Sequence, residues 1–224
     1  MNTCSIGFYP RLHNPDRIAL HVRRLWFDVN RYTYLCYKFP GGWLLVANIV
    51  KSSPNPPSSW VTELPYREIS NYHNNRMGIT TSPLNELRTH LNFTQLRFHC
   101  SKQRTHNGRT FHVTTVANST GEAVVKYFSG QTDVMPHSCD SFVTMENDNS
   151  NSSKVCQEWG AENGVHYNVG KWGSNGRNEG RLYKHVFIVW YKLHWLISPE
   201  LGRYECDDFK AGVSSGDFWK VFVR

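Results

Sequence analysis

Six consecutive residues, Glu146, Asn147, Asp148, Asn149, Ser150 and Asn151, carry oxygen-bearing side chains with no apolar residue among them. Such a run can pack as neither a strand nor a helix, because it has no apolar face to bury. It reads as a solvated loop, or as a loop that wraps a hard cation. Calcium takes six to eight oxygens from carboxylates, carbonyls and water on a flexible loop. Alternate spacing along an extended turn would let Glu146, Asp148 and Ser150 converge on one ion.

Other reactive residue types do not fall into patterns. The eleven histidines form no His-Glu-x-x-His, and the chain has no Gly-x-Ser-x-Gly or phosphate-binding loop. His106, His112, His185 and His194 stand singly and read as structural histidines, so no catalysis is expected. The six cysteines (Cys4, Cys36, Cys100, Cys139, Cys156, Cys206) contain no Cys-x-x-Cys pair, which leaves a structural zinc site without support. Three sequons, at Asn92, Asn118 and Asn151, together with an even cysteine count, favour a secreted, disulfide-bonded glycoprotein. Residues 1–30 lack the apolar run of a signal peptide, so either the true N-terminus is absent from this chain, as truncated or non-native, or the secretion argument is wrong.

The net charge of +7 suggests nucleic acid, but residues 1–40 hold four of the seven charges and the rest is mixed in sign. With no zinc finger, RNA-binding signature or basic repeat, nucleic acid is not an expected partner. The apolar runs at 43–50 and 185–197 are too short or too interrupted to span a bilayer.

These residues must be positioned by elements rich in Tyr, Trp and Phe, which favour half-buried sheet. Strands are predicted at 43–50, 94–100, 110–117, 122–128, 141–145, 185–197 and 218–223, with 117–122 as a hairpin turn. Helices are predicted at 14–27 and, with Ser82 as cap and Leu84, Leu87 and Leu91 on one face, at 82–91. The Pro/Ser stretch 51–60 reads as loop. The sum is a single α+β domain.

The stretch Tyr34-Leu-Cys36-Tyr-Lys-Phe39 followed by Gly41-Gly42-Trp43 and an apolar strand resembles the opening of the fibrinogen C-terminal domain family and of intelectins (X-type lectins). Phe142-Val-Thr144, then Glu146 to Ser150, then Cys156 resembles the family's calcium segment. Gly164-Val-His166-Tyr167-Asn168, Ser174-Asn175-Gly176 and Gly180-Arg-Leu-Tyr183 stand where its later landmarks fall, and the ending "SSGDFWKVFVR" is similar to that of intelectins. The segment 89–100 also resembles a strand of fibrillar collagen C-propeptides, a related matrix family.

The resemblance implies a fibrinogen C-terminal-like domain over residues 34–224, of twisted antiparallel sheets with few short helices and long loops, after an unassigned segment 1–33. It implies a metal set in which Asp148 and Ser150 stand at the carboxylate positions, Ser152 and Lys154 supply carbonyls, and Glu146 compensates for Ser150. It places a pocket for glycans or acetylated groups just after the loop, with His166, Tyr167, Asn168, Trp172 and Tyr183 as candidates. The implied function is a calcium-supported extracellular recognition module. The alternative is a matrix or adhesion domain acting through matrix proteins or self-association. Cys156 has Cys139, Cys100 and Cys206 as candidate partners, or stays free. The expected pair is Cys139–Cys156, which would restrain the loop by about 3 kcal/mol in the chain-entropy model. Cys4 is the expected free thiol.

Overall fold

The structure, a computed structural model, describes residues 3–4, 6–8, 24–29, 32–37, 42–52, 76–103, 108–162, 164–176 and 180–224. Two layers of sheet and two helices share one hydrophobic core. The larger sheet contains β1 (Thr3–Cys4), β5 (Trp43–Val50), β6 (Arg76–Gly78), β7 (Leu96–Lys102), β8 (Arg109–Thr115), β9 (Phe142–Thr144) and β13 (Phe218–Val223). Its order is β1-β5-β13-β7-β8-β9, with β6 also on β5, and every pairing except β1–β5 is antiparallel. A small antiparallel sheet joins β2 (Ile6–Phe8), β4 (Tyr32–Tyr37) and β3 (Arg24–Val29). The expected helix over 14–27 therefore fails at Arg24–Phe27, which are strand; residues 14–23 and the loop residues 53–60 lie outside the described residues.

The β5 segment is buried along nearly its whole length, as an apolar run covered on both faces must be. The helix α1 (Thr81–Leu91) forms where its Leu periodicity predicts, with Leu84 and Leu87 buried. Thr80, rather than Ser82, occupies the cap position. The predicted strand 122–128 is instead helix α2 (Ser119–Phe128). Asn118 begins it, its Oδ1 accepting from the amides of Thr120 (3.0 Å) and Gly121 (3.2 Å). "ANSTGE" has turn composition, but the same residue types cap helices. Val124, Val125, Tyr127 and Phe128 then bury one helical face. Gly121 is required, since a Cβ there would lie 1.9 Å from the Val116 carbonyl oxygen.

The predicted strand 185–197 is a hairpin: β10 (Lys184–Val189) and β11 (Leu193–Ser198), with β12 (Arg203–Asp208) completing a three-stranded antiparallel sheet. The inner face of this second layer gives Phe187, Trp195, Tyr204 and Cys206 to the core. Among the described residues one disulfide fastens the two layers and a second brackets the oxygen-rich loop. Cys100 on β7 is bonded to Cys206 on β12, and Cys139 is bonded to Cys156 as expected from the sequence. No free cysteine stands among the described side chains, and the Cys4 side chain lies outside them. Among the described residues no helix is long and apolar enough to cross a membrane.

On the outer face of β7–β8, His99 and His112 stack with ring centroids 3.7 Å apart. Burial, with the charges of Arg97 and its neighbour, lowers the His99 pKa to about 2. Burial, only partly offset by the Asn147 hydrogen bond, lowers that of His112 to about 4. Both rings are neutral when folded and titrate near 6.5 when unfolded. Their contribution is therefore complete above pH 6.5 and is lost as pH falls, down to 4 for His112 and 2 for His99. Between pH 6.5 and 5 the loss is about 2 kcal/mol for each ring. Urea unfolding of His99→Phe at pH 7.5 and at pH 5 should show about that much less acid destabilisation than the wild type. Equal acid sensitivity in the two proteins would contradict the paired, neutral rings.

Candidate functional site

The outer face of β10-β11-β12 is the floor of a groove of about 700 Å³. Strand alternation puts it there. Trp195 and Ile197 go to the core, while His194, Leu196 and Ser198 go to the groove. The opposite wall is formed by residues 161–162 and 164–175, folded back by a pair of hydrogen bonds between Glu162 and Val165 (2.8 and 2.9 Å) with Gly164 at φ 76° in the turn. That turn carries His166 and Tyr167 to the groove.

At one end Tyr167, Tyr191 and Phe209 line the groove, and Trp190 stacks on Tyr167 from beside it. Trp190 is 54% exposed and Tyr191 62% exposed at the tip of the β10–β11 hairpin. Tyr167 stacks on Trp190 (5.7 Å, 16°) and lies 6.0 Å from Tyr191, which meets Phe209 edge-on at 5.3 Å. The turn is closed by the Lys192 amide donating to the Val189 carbonyl (3.0 Å). The connection has three residues, Trp190, Tyr191 and Lys192, between the paired Val189 and Leu193, and positions of positive φ in such loops favour Gly. Here Tyr191 takes φ 46°, a conformation that costs a Cβ-bearing residue about 1–2 kcal/mol. The fold tolerates that strain while displaying two large aromatics to solvent.

Polar groups line the floor. Lys184 pairs with Glu200 (3.3 Å). Arg203 donates to both oxygens of Glu205 (Nε 2.8 Å, Nη2 2.9 Å), and Glu205 also meets His194 Nδ1 at 2.8 Å. Burial works to raise the Glu205 pKa, but hydrogen bonds from His194, the Lys210 amide and Arg203 outweigh it and hold the carboxyl below its ordinary value.

The oxygen-rich loop turns its side chains on the protein. After β9 ends, the Met145 and Asn149 amides donate to the carbonyls of His112 (2.8 Å) and Thr110 (3.0 Å), continuing the ladder along β8. The side chains complete it: Asp148 Oδ2 accepts from the His112 amide (2.6 Å) and Asn149 Oδ1 from the Thr110 amide (2.7 Å). Asn147 Oδ1 accepts from the His112 ring. Asp148 Oδ1 accepts from the Ser150 amide (3.1 Å) and the Ser153 hydroxyl (2.9 Å), and the Ser150 hydroxyl bonds both its oxygens. Asp207 of β12 caps the next turn, accepting from the amides of Asn151 (2.8 Å) and Ser152 (2.7 Å).

In this arrangement the groups of the implied metal set are engaged with the protein's own donors. The carboxylate of Asp148, central to the implied set, is committed to N–H and O–H donors on both oxygens, and the Ser152 carbonyl accepts from the Trp159 indole (2.9 Å). Ser150 is fully buried, while Glu146 and Lys154 are exposed. Among the described residues no three His, Cys, Asp or Glu side chains gather as a metal site.

Of the sequence-derived ligand candidates, His166 and Tyr167 line the groove, and Asn168, exposed at φ 68°, borders a smaller hollow behind Trp190. Trp172 and Tyr183 are core residues. The Trp172 indole donates to the Ser141 hydroxyl (2.8 Å), and the Tyr183 hydroxyl donates to the Ile79 carbonyl (2.7 Å). Asn92, Asn118 and Asn151 are all exposed. Sequence reasoning missed Trp190, Tyr191, Arg203, Glu205 and Phe209, and read His194 as structural. The signal for the first two was an aromatic pair interrupting an apolar run beside Lys192.

Removing the Asp148 carboxylate leaves several buried donors unmet, so Asp148→Ala should cost about 2–3 kcal/mol. Ser150→Asp forces a second carboxylate into a closed space beside the first and should also lower the melting temperature. Millimolar calcium should rescue neither variant and leave the wild type unchanged. A calcium-dependent rise in melting temperature would overturn this reading of the loop.

Compared with known proteins, the chain matches no protein-family model, no curated protein and no solved structure, so its function is argued from the chemistry of the site.

Proposed function

We propose that this protein is an extracellular recognition module that binds glycans or acetylated groups in the groove, against the aromatic rim formed by Tyr167, Trp190 and Tyr191. The carrying observation is the hairpin tip. A strained Trp190-Tyr191 turn holds exposed rings beside a cleft of convergent polar groups. Backbone strain that persists at a solvent-exposed aromatic is a mark of selection for what the side chain does. Sugars present apolar C–H faces and hydroxyl edges, and a site with aromatic walls and a few fixed hydrogen-bonding groups serves both. Two disulfides and three exposed sequon asparagines accord with an oxidising, extracellular setting. The resemblance to fibrinogen-like and intelectin segments points the same way.

A glycan array tests the proposal. The wild type should bind one or more glycan classes equally with calcium and with chelator. Trp190→Ala should weaken that binding about tenfold or more. Tyr191→Gly should weaken it too, while keeping or raising the melting temperature, because glycine relieves the positive φ. Silence across the array, with a stable oligomer in solution, would favour a matrix or adhesion role instead.

A further inference from the structure

His194 is 3% exposed and lines the groove, and its Nε2 is buried without a hydrogen-bond partner. Its other nitrogen is fully used. Glu205, itself unexposed and held ionised by Arg203 and the Lys210 amide, meets Nδ1 at 2.8 Å. A carboxylate only accepts, so this contact places the proton on Nδ1; the 3.3 Å approach of Arg203 Nη2 to the same atom is longer and competes poorly. In the neutral ring Nε2 is then a bare lone pair. Buried polar atoms in proteins are satisfied with few exceptions, and one that faces a cleft is met there by water or by a ligand. The rings of His185 and Phe209 stand nearly perpendicular to His194, at 5.8 and 5.0 Å, and fix its plane.

We infer that the Glu205–His194 pair is the polar recognition element of the groove: Glu205 sets the tautomer, and His194 Nε2 accepts a hydrogen bond from a hydroxyl or amide N–H of the bound ligand. This rests on the groove being the ligand site. It narrows the ligand class to molecules that combine a stackable apolar face with a donor one groove-width away, such as a hydroxyl-rich or acetamido sugar. A ligand offering only an acceptor at that point, such as an ether or ester oxygen, would leave both atoms unmet and be rejected. His194 is the contact residue and Glu205 a positioning residue.

The test uses the intact protein with 15N-labelled histidine, read by long-range proton–nitrogen correlation, which reports the protonated nitrogen of each ring. The free protein should show His194 protonated at Nδ1 and bare at Nε2. Titration with galactose, N-acetylglucosamine and N-acetylneuraminic acid should move the Trp190 indole and the His194 Nε2 signal together for at least one sugar. His194→Phe should weaken that sugar about tenfold. Glu205→Gln, whose amide can donate to the ring, should shift the tautomer signature, which a merely structural role would not do. A free His194 protonated at Nε2, or a sugar that moves Trp190 but not His194 Nε2, would overturn the inference and leave the groove proposal standing. No response at Trp190 or His194 to any of the three sugars would defeat both.

Discussion

Lys102 has no exposed side-chain surface, and the rest of the molecule is arranged around its ammonium group. Its three protons meet three acceptors: the Asp208 carboxylate, the Tyr204 carbonyl (3.0 Å) and the Ala211 carbonyl (3.1 Å). A buried charge is tolerable only when so fully matched, because desolvating an ion costs several kcal/mol. Two residues back along each strand, Cys100 and Cys206 are joined covalently. The pair and the disulfide together fix β12 against β7. One layer of the protein is thereby registered on the other.

That registration gives β12 its role. Its six residues, "RYECDD", include three carboxylates buried within four positions, and each is neutralised by a different part of the fold. Asp208 holds Lys102 in the larger sheet. Asp207 caps the turn at Ser152 and so anchors the far end of the oxygen-rich loop, with Arg109 3.8 Å away. Glu205 lies beneath the groove floor and orients His194. The Trp219 indole donates to the Glu205 carbonyl (2.9 Å), tying the same strand to β13. Groove floor, loop anchor and inter-layer clamp are therefore consecutive stations on one strand, and none can shift without the others.

What could be read from the sequence was what depends on neighbours in sequence. The apolar run of β5, the leucine spacing of α1 and the strands β7, β8 and β13 all followed from local pattern, whereas the Cys139–Cys156 pair was one of several pairings that the spacing left open. The α2 helix did not, because Asn-Ser-Thr-Gly-Glu caps a helix as readily as it turns a hairpin and only the packing of Val124, Val125 and Phe128 decides. The β10–β11 turn was hidden because Trp190-Tyr191 has none of the usual turn chemistry. The burial of the Lys102–Asp208 pair was not legible, since a hydropathy pattern cannot show a partner a hundred residues away. The oxygen-rich loop was legible as a cluster of acceptors. What it accepts from was not, because the amides of Thr110 and His112 belong to a strand some forty residues earlier.

The most direct test of this account is a stability comparison of Lys102→Met with the double replacement Lys102→Met/Asp208→Leu, by urea unfolding at neutral pH. The single change strands a buried carboxylate and should cost about 3–5 kcal/mol, while the double change should recover most of that loss. A single variant as stable as the wild type, or a double variant no better than the single, would show that the ion pair does not set the register of the two layers.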